Sequence, residues 1–314
     1  MASEASSLVW PAAPPKRGAL AFASLFALES FARALISTVV SVQAHDILQS
    51  SQKVSVLFTC VSLSVLASST LALPIIFRHV PRRWLYTGGI ACLCLGSLAF
   101  ATDVLPGQVA GMYLRNIGAA TLNISLALYI LDHIRKADLV RSEPMRLGFS
   151  AASWTIGPFL GVWLYENYGP WAPQLLCIAA SCLVATFFWY LRLNDHPVIR
   201  AARSSPQSPL ANVGRFVSQP RLRLAWLIAY GRSCFWSTFF VYGSLLMIEG
   251  NLGKEASGLL ISLSQLGLCM AYLAGKISER AGVRKVIAGA YAVAALAVIG
   301  AGDAGTSLPV LAAV

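Results

Sequence analysis

Charged side chains are scarce in this sequence. Asp, Glu, Lys and Arg make up only 12% of its 314 residues, whereas 57% of the residues are hydrophobic. Soluble domains carry about 25% charged residues, so this composition argues against an ordinary soluble fold. The hydrophobic residues recur in blocks of about 20, which is the helix length that crosses a bilayer. The sequence therefore predicts an all-α membrane protein whose partner is the lipid bilayer.

Several kinds of chemical site are also missing from the sequence. It has no Gly-Lys-Ser/Thr phosphate loop, which argues against an ATP-driven pump. Its seven cysteines all lie in hydrophobic blocks without metal-ligand spacing, and its four histidines form no cluster. Neither paired acids nor a nucleophile beside a base stand out. We therefore expect no metal, no cofactor and no enzymatic activity.

Nine hydrophobic blocks predict nine membrane-spanning helices. Their predicted bounds are 18–44, 53–77, 84–102, 107–131, 146–165, 172–193, 222–247, 256–274 and 285–302. A polar stretch at 194–221, rich in Pro, Ser and Arg, follows the sixth block and predicts a cytoplasmic linker. The expected organisation is a cytoplasmic tail at 1–17, a six-helix bundle at 18–193, the linker, and a partial C-terminal bundle at 222–314.

Basic residues are distributed unequally between the predicted loops. Nearly all of the loop Lys and Arg residues fall on one side of the membrane, whereas the opposite side holds only Lys53 and Lys254. The positive-inside rule therefore predicts that the amino terminus and the linker are cytoplasmic. The same asymmetry explains the net charge of +11 without a nucleic-acid partner. An aromatic belt is predicted at the span ends from Trp84, Tyr86, Trp163, Tyr165, Trp171, Trp189 and Tyr190.

A charged loop with two glycines joins the eighth and ninth predicted spans. It reads Gly-Lys-Ile-Ser-Glu-Arg-Ala-Gly-Val-Arg-Lys over residues 275–285. This loop resembles the cytoplasmic signature of the major facilitator superfamily, and the resemblance covers the chain from the first span onward. It implies a latch between helices, formed by Gly275, Glu279, Arg280, Gly282, Arg284 and Lys285. The alternative is a basic turn with a surface ion pair, in which Gly282 permits a positive φ.

A second motif lies in the fifth predicted span, where Gly157, Pro158 and Gly161 follow one another closely. It is similar to the Gly-Pro signature of exporters in the same family, except that Ser153 stands where a further glycine is usual. Proline kinks a helix, and two glycines four residues apart let another helix approach closely. The motif is interpreted either as helix packing alone or as a gating element that favours export.

Four ionisable residues lie well inside predicted spans: Glu29 and Arg33 in the first, Arg115 in the fourth and Arg232 in the seventh. Each costs about 2.5–3.5 kcal/mol at the centre of a membrane, so each needs protein or water around it. In the family that the motifs resemble, the first, fourth and seventh spans line the central cavity. The resemblance therefore implies a substrate and proton pathway at these four residues.

The buried charges allow more than one interpretation. Glu29 and Arg33 are four residues apart, so they can simply pair on one helix face. Alternatively, Glu29 is a protonatable coupling site at which proton binding and substrate binding compete. Three arginines against one glutamate favour an anionic or carboxylate-bearing substrate. For Arg115, a side chain that only reaches interfacial water is the simpler alternative.

The resemblance implies a secondary active transporter in the plasma membrane, which in a bacterium is the inner membrane. The expected activity is proton-coupled efflux of a small organic solute by antiport. A non-transporting scaffold, sensor or assembly factor is the alternative, favoured by a first-half copy of the loop motif at 73–83 that lacks both glycines. With only three spans after the linker, the chain is expected to be truncated, since a complete second half would end at roughly residue 395.

Overall fold

The computed structural model describes residues 16–133, 136–191, 213–267, 277 and 282–304, and the regular structure within these residues is entirely helical. The predicted all-α class is confirmed. The helices are α1 (Lys16–Leu35), α2 (Val39–Leu48), α3 (Ser51–His79), α4 (Arg82–Ala101), α5 (Leu105–His133), α6 (Lys136–Tyr168), α7 (Trp171–Tyr190), α8 (Val213–Val217), α9 (Pro220–Thr238), α10 (Ser244–Glu249), α11 (Lys254–Leu266) and α12 (Val283–Ala304). A π-helical segment, Phe239–Gly243, joins α9 to α10.

Each of the nine predicted spans coincides with a helical segment. Two spans are composite, because the first consists of α1 and α2, and the seventh consists of α9, the π-helical segment and α10. The eighth span is described as far as Gly267. Most of the predicted tail and residues 194–212 of the predicted linker lie outside the described residues, but α8 and the start of α9 show that the last part of the linker region is helical.

Apolar side chains on the surface indicate that lipid covers these helices. Leu63, Leu66 and Leu71 on α3 are 61%, 61% and 67% exposed, which would be unfavourable in water over so large a surface. Four described segments are long and apolar enough to cross a membrane individually: Ala23–Leu48, Ser51–Phe77, Arg82–Ala101 and Trp171–Tyr190. The chain is therefore a multi-pass membrane protein.

The first span is interrupted between α1 and α2. The hydroxyl of Ser37 donates to the carbonyl of Ala34 at 2.7 Å, and the Ser37 N–H donates to the same carbonyl at 3.1 Å. A hydroxyl that bonds nearby backbone competes with the regular helical ladder, and the β-branched residues Ile36 and Thr38 add little helix propensity. The regular α-helix is therefore interrupted here before it resumes at Val39.

Two buried glutamines hold the second part of this span against its neighbours. Gln43 Nε2 donates to the carbonyl of Phe100 and to Asp103 Oδ1, each at 2.8 Å. Gln108 Nε2 donates to the carbonyl of Val40 at 2.9 Å. Hydrogen bonds of this kind offset the cost of burying amide groups among apolar side chains. They fix α2 against the α4–α5 connection and the start of α5.

Small residues let α4 and α5 pack closely. A Cβ atom added at Gly118 would lie 2.8 Å from the carbonyl oxygen of Gly89, and one at Gly96 would lie 3.2 Å from that of Gly111. Beside this contact lies a buried cluster contributed by α1, α4, α5 and α7. Its members are Leu25, Tyr86, Ile90, Leu93, Leu122, Leu126, Tyr129, Val184 and Phe188. This packing sets the faces that α1 and α5 turn towards each other.

Ten of the described helices fall into two groups that contact one another. Helices α1 to α7 pack together and are called the N-terminal group, and α9 to α11 are called the C-terminal group. The main contact between the groups is α11 against α6, with a smaller contact of α10 against α2. The fifth and eighth predicted spans therefore form the seam of the molecule.

Candidate functional site

The two charged residues of the first span face each other across one turn of α1. Arg33 Nη1 lies 3.1 Å from Glu29 Oε1. The Glu29 side chain is fully buried, whereas that of Arg33 is 20% exposed. The predicted intrahelical pair therefore forms. It leaves room for a further role, because Arg33 makes contacts beyond its own helix.

Arg33 connects α1 to α5. Its Nη1 atom also donates to Asn123 Oδ1 at 3.0 Å, and Arg115 Nη2 donates to the backbone carbonyl of Arg33 at 3.2 Å. Arg115 and Asn123 share one face of α5, since eight residues make about two helical turns. The structure thus gathers Glu29, Arg33, Arg115 and Asn123 into one group, which we call the arginine cluster.

The arginine cluster has more positive than negative charge. Counting these four residues, two guanidinium groups meet one carboxylate. The Nε atom of Arg115 is buried and has no hydrogen-bond partner among the described residues. A buried donor without an acceptor is unfavourable, and a guanidinium is suited to bind a planar anion through several N–H groups. The chemistry of the cluster therefore suits a carboxylate or a similar anion.

Tyr86 on α4 is a further neighbour of Glu29. Its hydroxyl donates to Glu29 Oε2 at 3.4 Å, and its ring stacks on Phe188 with the ring centroids 4.2 Å apart. Tyr86 and Tyr165 are predicted from the sequence to belong to an aromatic belt at the membrane surface. Both are in fact buried, and the Tyr165 hydroxyl donates to Asp46 Oδ2 at 2.9 Å. A carboxylate partner for each hydroxyl explains this burial.

Arg232 is separate from the arginine cluster. It lies on α9 with an exposed side chain, and no contact between it and the cluster is found among the described residues. Its place in a substrate or proton pathway remains a prediction. By contrast, Asn123 was not selected from the sequence, because a neutral amide does not stand out in a hydropathy profile. Its spacing of two turns from Arg115 was the available signal.

The Gly-Pro motif lies where three helices meet. A Cβ atom added at Gly157 would lie 2.5 Å from Ala34 Cβ, and one at Gly161 would overlap the carbonyl oxygen of Leu35. Both glycines therefore seat α6 against the interrupted part of the first span. On the other side of α6, a Cβ atom added at Gly258 of α11 would lie 3.0 Å from the carbonyl oxygen of Pro158. The predicted close helix packing at this motif is present.

The seam between α6 and α11 also has a specific polar contact. The backbone N–H of Phe159 donates to Ser262 Oγ at 3.0 Å. This bond joins the two helix groups next to Pro158, which lacks a backbone donor of its own. The motif thus contacts the first span and the C-terminal group at once.

The charged loop is described in part. Gly275, Glu279 and Arg280 lie outside the described residues. Gly282 has a φ of +87°, the left-handed conformation that the motif predicted for it. Arg284 and Lys285 are exposed at the start of α12. The latch itself therefore remains a prediction.

An apolar groove lies between α3 and α5. Its volume is about 650 Å³. It is lined by Leu57, Cys60, Val61, Ser64, Leu105, Pro106, Val109, Ala110 and Tyr113. Such a lining offers few polar groups with which to select a solute. The arginine cluster is therefore the better candidate for solute recognition.

Comparison with protein families matches residues 22–314 to the model described as the Major Facilitator Superfamily. Among solved structures, the chain is similar to PepTSo, a POT family transporter whose crystal structure was determined in meso, with 17% sequence identity and a TM-score of 0.48. The similarity covers 92% of this chain and 58% of that transporter. Comparison with curated proteins finds no match.

Proposed function

The chain belongs to the Major Facilitator Superfamily, and from this premise we propose that it is a secondary active transporter of a small, anionic organic solute, coupled to protons. The arginine cluster carries the proposal, because there a buried carboxylate and two guanidinium groups come together through hydrogen bonds that join α1 to α5. The proposed location is the plasma membrane, with the amino terminus in the cytoplasm.

The solute is proposed to bind at Arg33 and Arg115. Arg115 has a buried donor without a partner, and Arg33 shares one nitrogen between Glu29 and Asn123. A carboxylate of the solute would give both guanidiniums an additional acceptor. Charge-assisted hydrogen bonds of this type are about twice as strong as neutral ones. The excess of positive charge in the cluster makes a cationic solute the less favourable ligand.

Proton coupling is proposed to act through Glu29. Ionised Glu29 and an anionic solute compete for the same guanidinium of Arg33. Protonation of Glu29 removes this competition, so that proton and solute bind together rather than exclude each other. This linkage is opposite in sign to the competition expected from the sequence, because here the solute competes with ionised Glu29 for Arg33 and not with the proton for Glu29.

Efflux by proton antiport is the second candidate, and the Gly-Pro motif of exporters favours it. Antiport requires that proton and solute exclude each other. In this cluster that condition holds for a solute whose own positive group binds ionised Glu29 directly. The sign of the pH dependence therefore separates the two candidates.

A non-transporting role is the remaining alternative. The first-half copy of the charged loop forms its turn at Val80 and Pro81 with φ of −98° and −57°, without the left-handed glycine found at Gly282. The left-handed turn residue seen at Gly282 is therefore absent between α3 and α4. This alternative predicts that no solute moves under any gradient.

The test is transport by the purified protein in proteoliposomes, with a panel of monocarboxylates and dicarboxylates as probes. A proton gradient is expected to raise the uptake rate of at least one probe in the wild-type protein. Glu29→Gln is expected to abolish this dependence while equilibrium exchange continues, and Lys53→Gln, a surface substitution that also removes one charge, is expected to leave it unchanged. Unaltered gradient dependence in Glu29→Gln would contradict the role of Glu29.

A further inference from the structure

Charged residues from both helix groups meet at the end of the molecule that carries Lys53 and Lys254, which we call the outer end. Lys254 is the first residue of α11, and its Nζ atom lies 2.7 Å from Asp46 Oδ2. The same nitrogen lies 3.3 Å from Glu166 Oε1. Asp46 belongs to α2 and Glu166 to α6. One lysine of the C-terminal group thus bridges two helices of the N-terminal group.

The geometry of this bridge is reinforced by Tyr165. Its hydroxyl donates to the same oxygen of Asp46 that accepts from Lys254, at 2.9 Å. The Lys254 nitrogen also lies 5.6 Å from the centroid of the Tyr165 ring, within the range of a cation–π contact. The three charged side chains are only 30%, 26% and 34% exposed. Partial removal of water strengthens attraction between them relative to a fully exposed pair.

The charge on Lys254 is stable in this setting. Partial burial opposes its protonated form, but the hydrogen bond and the attraction from Asp46, followed by those from Glu166, outweigh burial and raise the pKa of Lys254. Lys254 therefore stays protonated throughout the physiological range. If it were removed, two carboxylates and a tyrosine hydroxyl would remain at this point without their cation.

A second polar contact crosses the same gap. Ser51 at the start of α3 donates a hydrogen bond to Glu249 at the end of α10. Below these contacts, Gly258 packs on Pro158 and Ser262 bonds to Phe159. The polar contacts described at the outer end thus continue into a closely packed seam.

The position of Lys254 also answers a question left by the sequence. The positive-inside rule explains why the outer loops contain few basic residues, but not why Lys254 is one of the exceptions. Its two carboxylate partners supply a reason, which does not apply to the exposed Lys53.

We propose that Lys254, Asp46 and Glu166 form an ion-pair clasp that holds the two helix groups together at the outer end. The structure accordingly has its outer end closed, and the clasp must separate before a pathway can open there. If the chain is a transporter as proposed above, opening and closing of this clasp is one step of its cycle. The closure itself does not depend on that assignment, because it can be measured without a solute.

The test is the accessibility of a cysteine placed behind the clasp. Ser262 is 5% exposed in the seam, about two helical turns below Lys254. A membrane-impermeant maleimide is applied to the outer face of right-side-out vesicles, and the labelling of Ser262→Cys is measured above that of the parent protein. Labelling should be slow while Lys254 is intact. Adding Lys254→Gln should raise the rate about threefold to tenfold, as expected for two partly exposed ion pairs.

Two controls make the result specific. Lys53→Gln removes the other outer lysine and should leave the labelling rate unchanged. The exchange variant Asp46→Lys with Lys254→Asp keeps an opposite pair across the gap and should return the rate towards that of the parent. The clasp is contradicted if Lys254→Gln labels no faster than the parent. It is also contradicted if Lys254→Gln fails to fold and the exchange variant folds but still labels rapidly.

Discussion

The contact between Gly161 and the first span makes a quantitative prediction about stability. In Gly161→Ala the new methyl group would overlap the carbonyl oxygen of Leu35, lie 2.8 Å from the carbonyl carbon and 3.2 Å from Val39 Cγ2. A backbone carbonyl cannot rotate away, so α6 must separate from the first span. Overpacking of this kind costs about 1–3 kcal/mol. The gain in helix propensity from glycine to alanine, about 1 kcal/mol, offsets only part of it.

The expected result is a net decrease of about 1–2 kcal/mol in the free energy of unfolding. The methyl group meets backbone atoms, so the overpacking cost should lie at the upper end of its usual range. Near the midpoint this corresponds to a decrease in Tm of about 1.5–3 °C for a protein of this size. Thermal unfolding of the purified protein in detergent measures it. Gly148→Ala is the matched control, since it lies in the same helix and has no atom within 4 Å of the new Cβ. A Tm for Gly161→Ala equal to or above that of Gly148→Ala would refute the contact.

Two further predictions concern the arginine cluster. Tyr86→Phe keeps the stacking on Phe188 but removes the hydroxyl that contacts Glu29, so the pH profile of transport should shift. The loss of stability should stay below about 1–2 kcal/mol, as measured from the Tm. An unchanged pH profile would show that Tyr86 takes no part in proton coupling. Arg115→Gln removes the guanidinium that bonds the Arg33 carbonyl, and equilibrium binding of an anionic probe should weaken about 10-fold to 100-fold, whereas unchanged affinity would remove Arg115 from the site.

The positions of the spans could be predicted from the sequence because the bilayer imposes a length on every apolar helix. The interruption between α1 and α2 could not, since a hydropathy window sums the apolarity of Ile36 and Val39 and does not register the hydroxyl of Ser37 bonding to the backbone. Burial of Tyr86 was also missed. An aromatic residue near a span end resembles a belt residue until its partner, 57 positions away in sequence, is known.

Some residues of the candidate site could be predicted from the sequence and others could not. Glu29, Arg33 and Arg115 stood out because a charge at membrane depth is costly, and that cost is the physical reason they gather. Arg232 stood out for the same reason but lies apart from them among the described residues. The contribution of Lys254 was not visible from the sequence, because a charge in a loop is interpreted first as a topology signal. Its partner Asp46 is 208 positions away.

The first span connects the three regions on which the proposals rest. Its α1 part carries Glu29 and Arg33 in the arginine cluster, its interruption at Leu35 is seated against Gly161, and its α2 part ends beside the clasp at Asp46. A helix bends most easily where its hydrogen-bond ladder is already interrupted. Close packing by Gly161 at that point means that α1 and α2 cannot change their angle without moving α6. α6 also carries Glu166 and the seam with α11. Solute binding at the arginine cluster and opening of the clasp would therefore both act on the packing of α6 against the first span.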